Sequence, residues 1–157
     1  MKIKVLKKKS LTPEEPEYRK KLREIIHFLD KTRQIFLTGS ERFMVETNVS
    51  DIDYVMMKED YDNYIYPIIH GQDGIKEEDG SGLGHEDPTL HSSVRFEKYN
   101  FILVWDEQQF MAWRVATETV EKLGPESLCI KTRRVQLFSD IKMIIYNFLE
   151  SRGKSDT

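Results

Sequence analysis

Between Ile35 and Met57 the chain reads IFLTGSERFMVETNVSDIDYVMM, and no other stretch constrains the fold as much. Ile35-Phe36-Leu37-Thr38 is a short, continuous apolar run, the pattern of a buried strand. Gly39-Ser40 ends it. Glycine supports backbone angles closed to other residues and lets a ligand approach closely, and serine is a good helix N-cap. A short helix is therefore expected over residues 41 to 46, with its free N–H groups facing the turn. A second strand is expected over residues 51 to 57, opening on Asp51-Ile52-Asp53. Side chains alternate along a strand, so the two aspartates share a face with Cα atoms roughly 6.6–7 Å apart. Two carboxylates at one end of an otherwise apolar strand are costly unless a cation neutralises them, and a divalent metal is the most economical partner.

The rest of the chain supplies the frame. A length of 157 residues with 39% hydrophobic side chains predicts a single domain with a real core. Residues 1–16 and 152–157 read as tails. Tyr18, Leu22, Ile25, Ile26 and Leu29 form one apolar stripe, so residues 17 to 31 are expected as a helix. Lys58 to Ile69 is expected as a second helix, ending before or kinking at Pro67. Five of the eight glycines lie between Gly71 and Gly84. Residues 71–93 therefore read as a long flexible loop, a candidate lid or partner-binding element. Val94 to Trp105 reads as extended structure, with Phe101-Ile102-Leu103-Val104-Trp105 placed centrally. Asp106 starts a helix through Leu123, and Ser139 is expected to cap a last helix. The fold class is α/β (α+β), with a central mixed sheet of about 4–5 strands flanked by helices.

Several function classes are excluded or disfavoured. The net charge of −3 gives no overall drive toward nucleic acid or an anionic membrane. An RNA contact would need a local patch, for which Arg95, Lys98, Lys131, Arg133 and Arg134 are the candidates; ordinary surface charge accounts for them somewhat better. No apolar run approaches a membrane span, and the basic MKIKVLKKKS start is not followed by a signal-peptide core. No membrane partner and a cytoplasmic location are expected. Cys129 is the only cysteine, so there is no intrachain disulfide and no CxxC pair for zinc. GxxxxGK[ST] and GxGxxG are absent, which removes the GTPase and kinase readings. His85, Glu86, Asp87 and His91 match no metal motif of defined geometry, and loop composition explains them more simply.

Gly39-Ser40, ten intervening residues and Asp51-Ile52-Asp53 resemble the signature of the DNA polymerase β-type nucleotidyltransferase superfamily. That signature is an apolar strand, Gly-Gly or Gly-Ser, a short connection, then Asp-x-Asp or Asp-x-Glu on the next strand. More narrowly, Ser50-Asp51-Ile52-Asp53-Tyr54, followed by NFILV, Asp106 and FMAWRVAT, is similar to small nucleotidyltransferase-like proteins of bacteriophages. The resemblance implies transfer of a nucleoside monophosphate from an NTP to an RNA, protein or small-molecule acceptor. It implies that Asp51 and Asp53 are catalytic carboxylates holding Mg²⁺ or Mn²⁺. Gly39 and Ser40 would bind the triphosphate, with Arg42 close enough to assist. In-line displacement of this kind uses metals about 3.5–4 Å apart to stabilise the attacking and leaving oxygens. If the chain is phage-encoded, the location is the host cytoplasm.

The family also uses a third carboxylate on a later strand, and here the sequence departs from it. The matching context is Tyr99-Asn100-Phe101-Ile102-Leu103-Val104, which puts Asn100 at that catalytic position. An amide offers one neutral oxygen but neither a base nor a charge. Glu97 falls on the opposite strand face unless a bulge brings it round. Asp106 shares the parity of Asn100 but lies roughly 20 Å further along. Two readings follow: a metal-dependent nucleotidyltransferase, or a catalytically degenerate member that binds nucleotide, RNA or a host protein as a regulator or inhibitor. A chance match on an unrelated α/β domain is the third.

Overall fold

The computed structural model describes residues 14–43, 51–78, 92–123 and 131–155, apart from the side chains of Ser40 and of residues 131–134 and 153–155. In chain order the elements are α1 (Glu17–Lys31), β1 (Ile35–Thr38), α2 (Gly39–Phe43), β2 (Ile52–Met57), α3 (Lys58–Asp60), a π-helical turn (Tyr61–Ile65), α4 (Tyr66–Ile69), β3 (Lys76–Glu78), β4 (Ser92–Phe96), β5 (Tyr99–Val104), α5 (Glu107–Lys122) and α6 (Lys131–Ser155). The strands form one sheet in the order β1-β2-β5-β4-β3. β2 and β5 run parallel and every other neighbour pair is antiparallel. This is the expected mixed sheet flanked by helices.

Period-two alternation divides the strands between two apolar layers. Ile35, Met56, Val94, Phe96, Phe101 and Leu103 face α1 and the π-helical turn, where Leu22, Ile26, Leu29, Tyr61 and Ile65 meet them. Phe36, Val55, Ile102 and Val104 face Trp113 of α5, with Phe138 of α6 behind. β5 is buried on both faces, which is why its sequence is apolar without alternation. Val120 and Phe43 continue the second layer against Leu137, Phe138 and Ile141 of α6. Lys142 is buried there too, its ammonium 4.3 Å from the centre of the Trp113 ring.

Four boundaries differ from the sequence reading, each for a local reason. The helix over Lys58–Ile69 runs unbroken past Pro67, and the π-helical turn immediately before it widens the backbone. Proline has no N–H, and its ring crowds the carbonyl four residues earlier, so a wider turn relieves both problems. The glycine-rich stretch is shorter than 71–93: Lys76–Glu78 pairs with β4, and Ser92 and Ser93 belong to β4. Residues 79–91, including His85, Glu86, Asp87 and His91, lie outside the described residues, as do 1–13 with their lysine run. Ser139 does not cap the last helix, which begins at Lys131, because Leu137 and Phe138 are already needed on its buried stripe. That helix also continues through Arg152 to Ser155 where a tail was expected. The Arg152 guanidinium lies over the Phe148 ring one turn back, a local support for the extension. Among the described residues no helix is long and apolar enough to cross a membrane.

Candidate functional site at the end of the sheet

The ladder register sets one row of side chains across all five strands. Thr38 lies opposite Asp53, Asp53 opposite Asn100, Asn100 opposite Arg95, and Arg95 opposite Lys76. Directly opposed residues share a sheet face, so the row advances one strand spacing, about 4.8 Å, at each step. Phe36 lies two residues before Thr38, and Val55 and Ile102 two residues after Asp53 and Asn100, all on that same face. The row is thus the polar margin of the layer that α5 covers. β2 and β5 begin here, while β1 and β4 end here.

Asn100 is 8% exposed and donates from Nδ2 to Asp53 Oδ1 at 2.9 Å. The amide orientation follows from this contact, because flipping it would press the carbonyl oxygen onto a carboxylate. Its Oδ1 is buried with no hydrogen-bond partner among the described residues. Asp51, just before β2, accepts from Arg95 Nη1 at 2.9 Å. Gly39 turns the chain from β1 into α2 with φ of 73°, and a Cβ there would stand 2.3 Å from Asp53 Oδ2. Only glycine fits beside that carboxylate. Thr38 is held from behind. Thr117 spends its hydroxyl proton on the Trp113 carbonyl at 2.8 Å, so Thr38 is the donor in the buried 2.8 Å Thr38–Thr117 contact.

The sequence-expected residues divide accordingly. Gly39, Asp51, Asp53 and Asn100 come together at one end of the sheet. Ser40 sits in the first turn of α2 and is not its N-cap, because the helix already begins at Gly39; its side chain lies outside the described residues. α2 covers only Gly39–Phe43 of the described residues, starting two positions before the expected helix. Arg42 is directed elsewhere. Its Nε and Nη2 pair with Glu121 of α5, and its Nη1 donates to the Leu37 carbonyl at 3.2 Å. The expected triphosphate role for Arg42 therefore gives way to a clamp between α2 and α5, which holds the Glu121 carboxyl below the usual carboxylate range. Glu97 does not swing into the row. It takes the left-handed position of the β4–β5 turn, φ 51°, and accepts from Arg19 Nε at 3.0 and 2.8 Å. Asp106 caps α5, accepting from the Gln109 N–H at 2.8 Å.

One participant, Thr117, went unread; it carried no signal beyond the helical period that contains it. Arg95 was named only as part of a basic patch, yet its place in the row was signalled: a tight turn at Glu97-Lys98 pairs Phe96 with Tyr99, and so Arg95 with Asn100. Of the proposed basic patch, only Arg95 and Lys98 have described side chains, and Lys98 lies over the Tyr99 ring at 5.3 Å.

The donor set is compatible with one hard divalent cation. Asp51 and Asp53 offer carboxylate oxygens from one strand face, while Asn100 turns its Nδ2 to Asp53 and leaves its buried Oδ1 without a partner among the described residues. Among the described residues no group of three or more His, Cys, Asp or Glu side chains is placed to hold a metal ion. The chain matches no protein-family model and no curated protein.

Proposed function

We propose that this chain is a metal-dependent nucleotidyltransferase, moving a nucleoside monophosphate from an NTP to a hydroxyl of an RNA, protein or small-molecule acceptor. The observation that carries this reading is the convergence of Asp53 and Asn100 in one register row, with Gly39 close against Asp53 and Asp51 two residues away on the same face. Asp51 and Asp53 would hold Mg²⁺ or Mn²⁺, which would supply positive charge beside the phosphates. Gly39 leaves room for the carboxylate of Asp53 to stay in place. Asn100 orients that carboxylate through its amide N–H. The acceptor oxygen bonds to the α-phosphorus, and the bond from phosphorus to the bridging oxygen breaks. Pyrophosphate leaves with the electron pair. The hydroxyl proton passes to solvent, because an amide at Asn100 cannot take it.

The same amide favours a second reading: a degenerate member that binds nucleotide and acts on RNA or a host protein as a regulator or inhibitor. Asn100 donates to Asp53 where an active member would bring a third acid.

One experiment separates them. The purified protein is incubated with labelled NTPs, Mg²⁺ or Mn²⁺, and a mixture of RNA and protein acceptors, beside the Asp51→Ala/Asp53→Ala variant. Label transfer that disappears in the variant supports the enzyme. Metal-dependent nucleotide binding without transfer selects the degenerate reading, and neither binding nor transfer removes both.

A further inference from the structure

We propose that Arg95 is a latch on this site. It holds Asp51 until a divalent cation binds, and the released guanidinium then joins Lys76 in binding the phosphates of the nucleotide. The inference rests on reading Asp51 and Asp53 as metal-binding carboxylates.

The contact between Arg95 and Asp51 skips a strand. Asp51 leads into β2, whose neighbour is β5, and Arg95 stands on β4 beyond it. The two strand axes are about 9.5 Å apart, so the side chain must cross the start of β5. Asn100 occupies the intervening place in the row. The guanidinium therefore occupies an Asp51 oxygen that a metal would need. It supplies one positive charge against two neighbouring carboxylates, so the latched site is partly neutralised and still attracts a divalent cation.

This latch is weak enough to open. The side chains of Asp51 and Arg95 are 31% and 48% exposed, and ion pairs in water are screened and entropically costly. A divalent ion brings twice the charge and meets both carboxylates. Once released, Arg95 is left opposite Lys76 on the same sheet face. Like charges directly opposed across a ladder repel, and an anion between them removes the strain. A polyphosphate suits the pair, because the guanidinium fork binds phosphate oxygens two at a time. The row then runs from carboxylates on β2 to cations on β4 and β3, in the order metal, then phosphates.

The latch makes two predictions of opposite sign, which loss of a merely structural contact does not. Mn²⁺ binding is followed by the electron paramagnetic resonance of the free ion in wild type, Arg95→Gln, Arg95→Lys and Asp51→Asn. Binding of the α,β-methylene analogue of ATP is then measured at saturating Mn²⁺. Arg95→Gln binds Mn²⁺ about two- to fivefold more tightly, the worth of a half-exposed ion pair. It binds the analogue about tenfold more weakly, the worth of a charge-assisted phosphate contact. Arg95→Lys recovers part of the analogue binding. If Asp51→Asn loses Mn²⁺ while Arg95→Gln binds it no better than wild type, the latch is wrong and the metal site stands. If Asp51→Asn and wild type bind Mn²⁺ alike, the metal site is wrong and the latch falls with it.

Discussion

On the α1 side β2 and β5 are apolar from end to end. Ile35, Met56, Phe101 and Leu103 pack against Leu22, Ile26 and Leu29, and the Tyr54 and Tyr99 rings close the layer where β2 and β5 begin. On the α5 side the same strands are apolar only in their later residues. Val55, Ile102 and Val104 lie under Trp113, but the first inward positions are Asp53 and Asn100. Both layers come from one alternating pattern, and at their shared end one carries packing while the other carries charge. Carboxylates there gain nothing from burial, so the α1 layer must anchor the strands that present them. Substitutions on the two faces of β2 and β5 should therefore separate stability from ligand binding.

The largest expected effect joins the two. Gly39 and Gly71 both have positive φ, 73° and 88°, but a Cβ at Gly71 meets nothing within 4 Å. Alanine in the left-handed region costs about 1–2 kcal/mol, and that is the whole cost at Gly71. At Gly39 the added methyl also drives into Asp53 Oδ2, so Gly39→Ala should lose about 2–5 kcal/mol in urea denaturation and forfeit Mn²⁺ binding. Equal losses for the two variants would show that Asp53 is free to step aside.

A smaller effect tests the polar margin itself. Asn100→Asp sets a carboxylate against Asp53 in place of an amide donor. Two such groups in contact cannot both ionise cheaply, so the pair takes up a proton with a raised pKa. A carboxyl raised in the folded state stabilises below the ordinary carboxylate range, and that stability is lost as pH climbs through the raised value. The variant should be about 1–3 kcal/mol less stable than wild type at pH 7.5. The gap should close on acidification and also on adding Mn²⁺. Denaturation curves at pH 5 and 7.5, with and without the ion, check both arms, and a gap indifferent to each would place the two side chains apart.

The difference between the layers also governs what could be read in advance. The strands, α1 and α5 were legible because each buries a face and burial writes its period into the sequence. The juxtaposition of Gly39, Asp53 and Asn100 was legible because two apolar runs fix a register, and a register fixes neighbours. The errors fall where period carries no information. Arg42 stands next to the glycine turn in sequence, yet α2 turns it toward Glu121. Ser139 has the chemistry of a cap, but the buried stripe of α6 begins before it. The Arg95–Asp51 pair depends on a side chain crossing a strand, which requires the full strand order and not any one motif.

The smallest expected effect lies in the apolar layer, at a buried hydroxyl. Tyr61 is 3% exposed in the π-helical turn, packed against the rings of Phe101 and Tyr66, and its hydroxyl has no partner among the described residues. Burial, reinforced by Glu77 and Asp62, pushes that hydroxyl up to about 12. A group whose pKa is raised on folding stabilises below its unfolded value and loses that contribution as pH rises through the folded one. Wild type should therefore lose stability between about pH 10 and about pH 12, by about 1.4 kcal/mol per pH unit at the steepest. Tyr61→Phe removes the ionisation and the unpaired hydroxyl together. At neutral pH it should be level with wild type or up to about 1 kcal/mol more stable. Above pH 10 the two stability curves should diverge, with Mn²⁺ binding at neutral pH unchanged because the ring faces the other layer. Parallel alkaline profiles would mean that the hydroxyl reaches water, and that this layer is less completely closed than its packing implies.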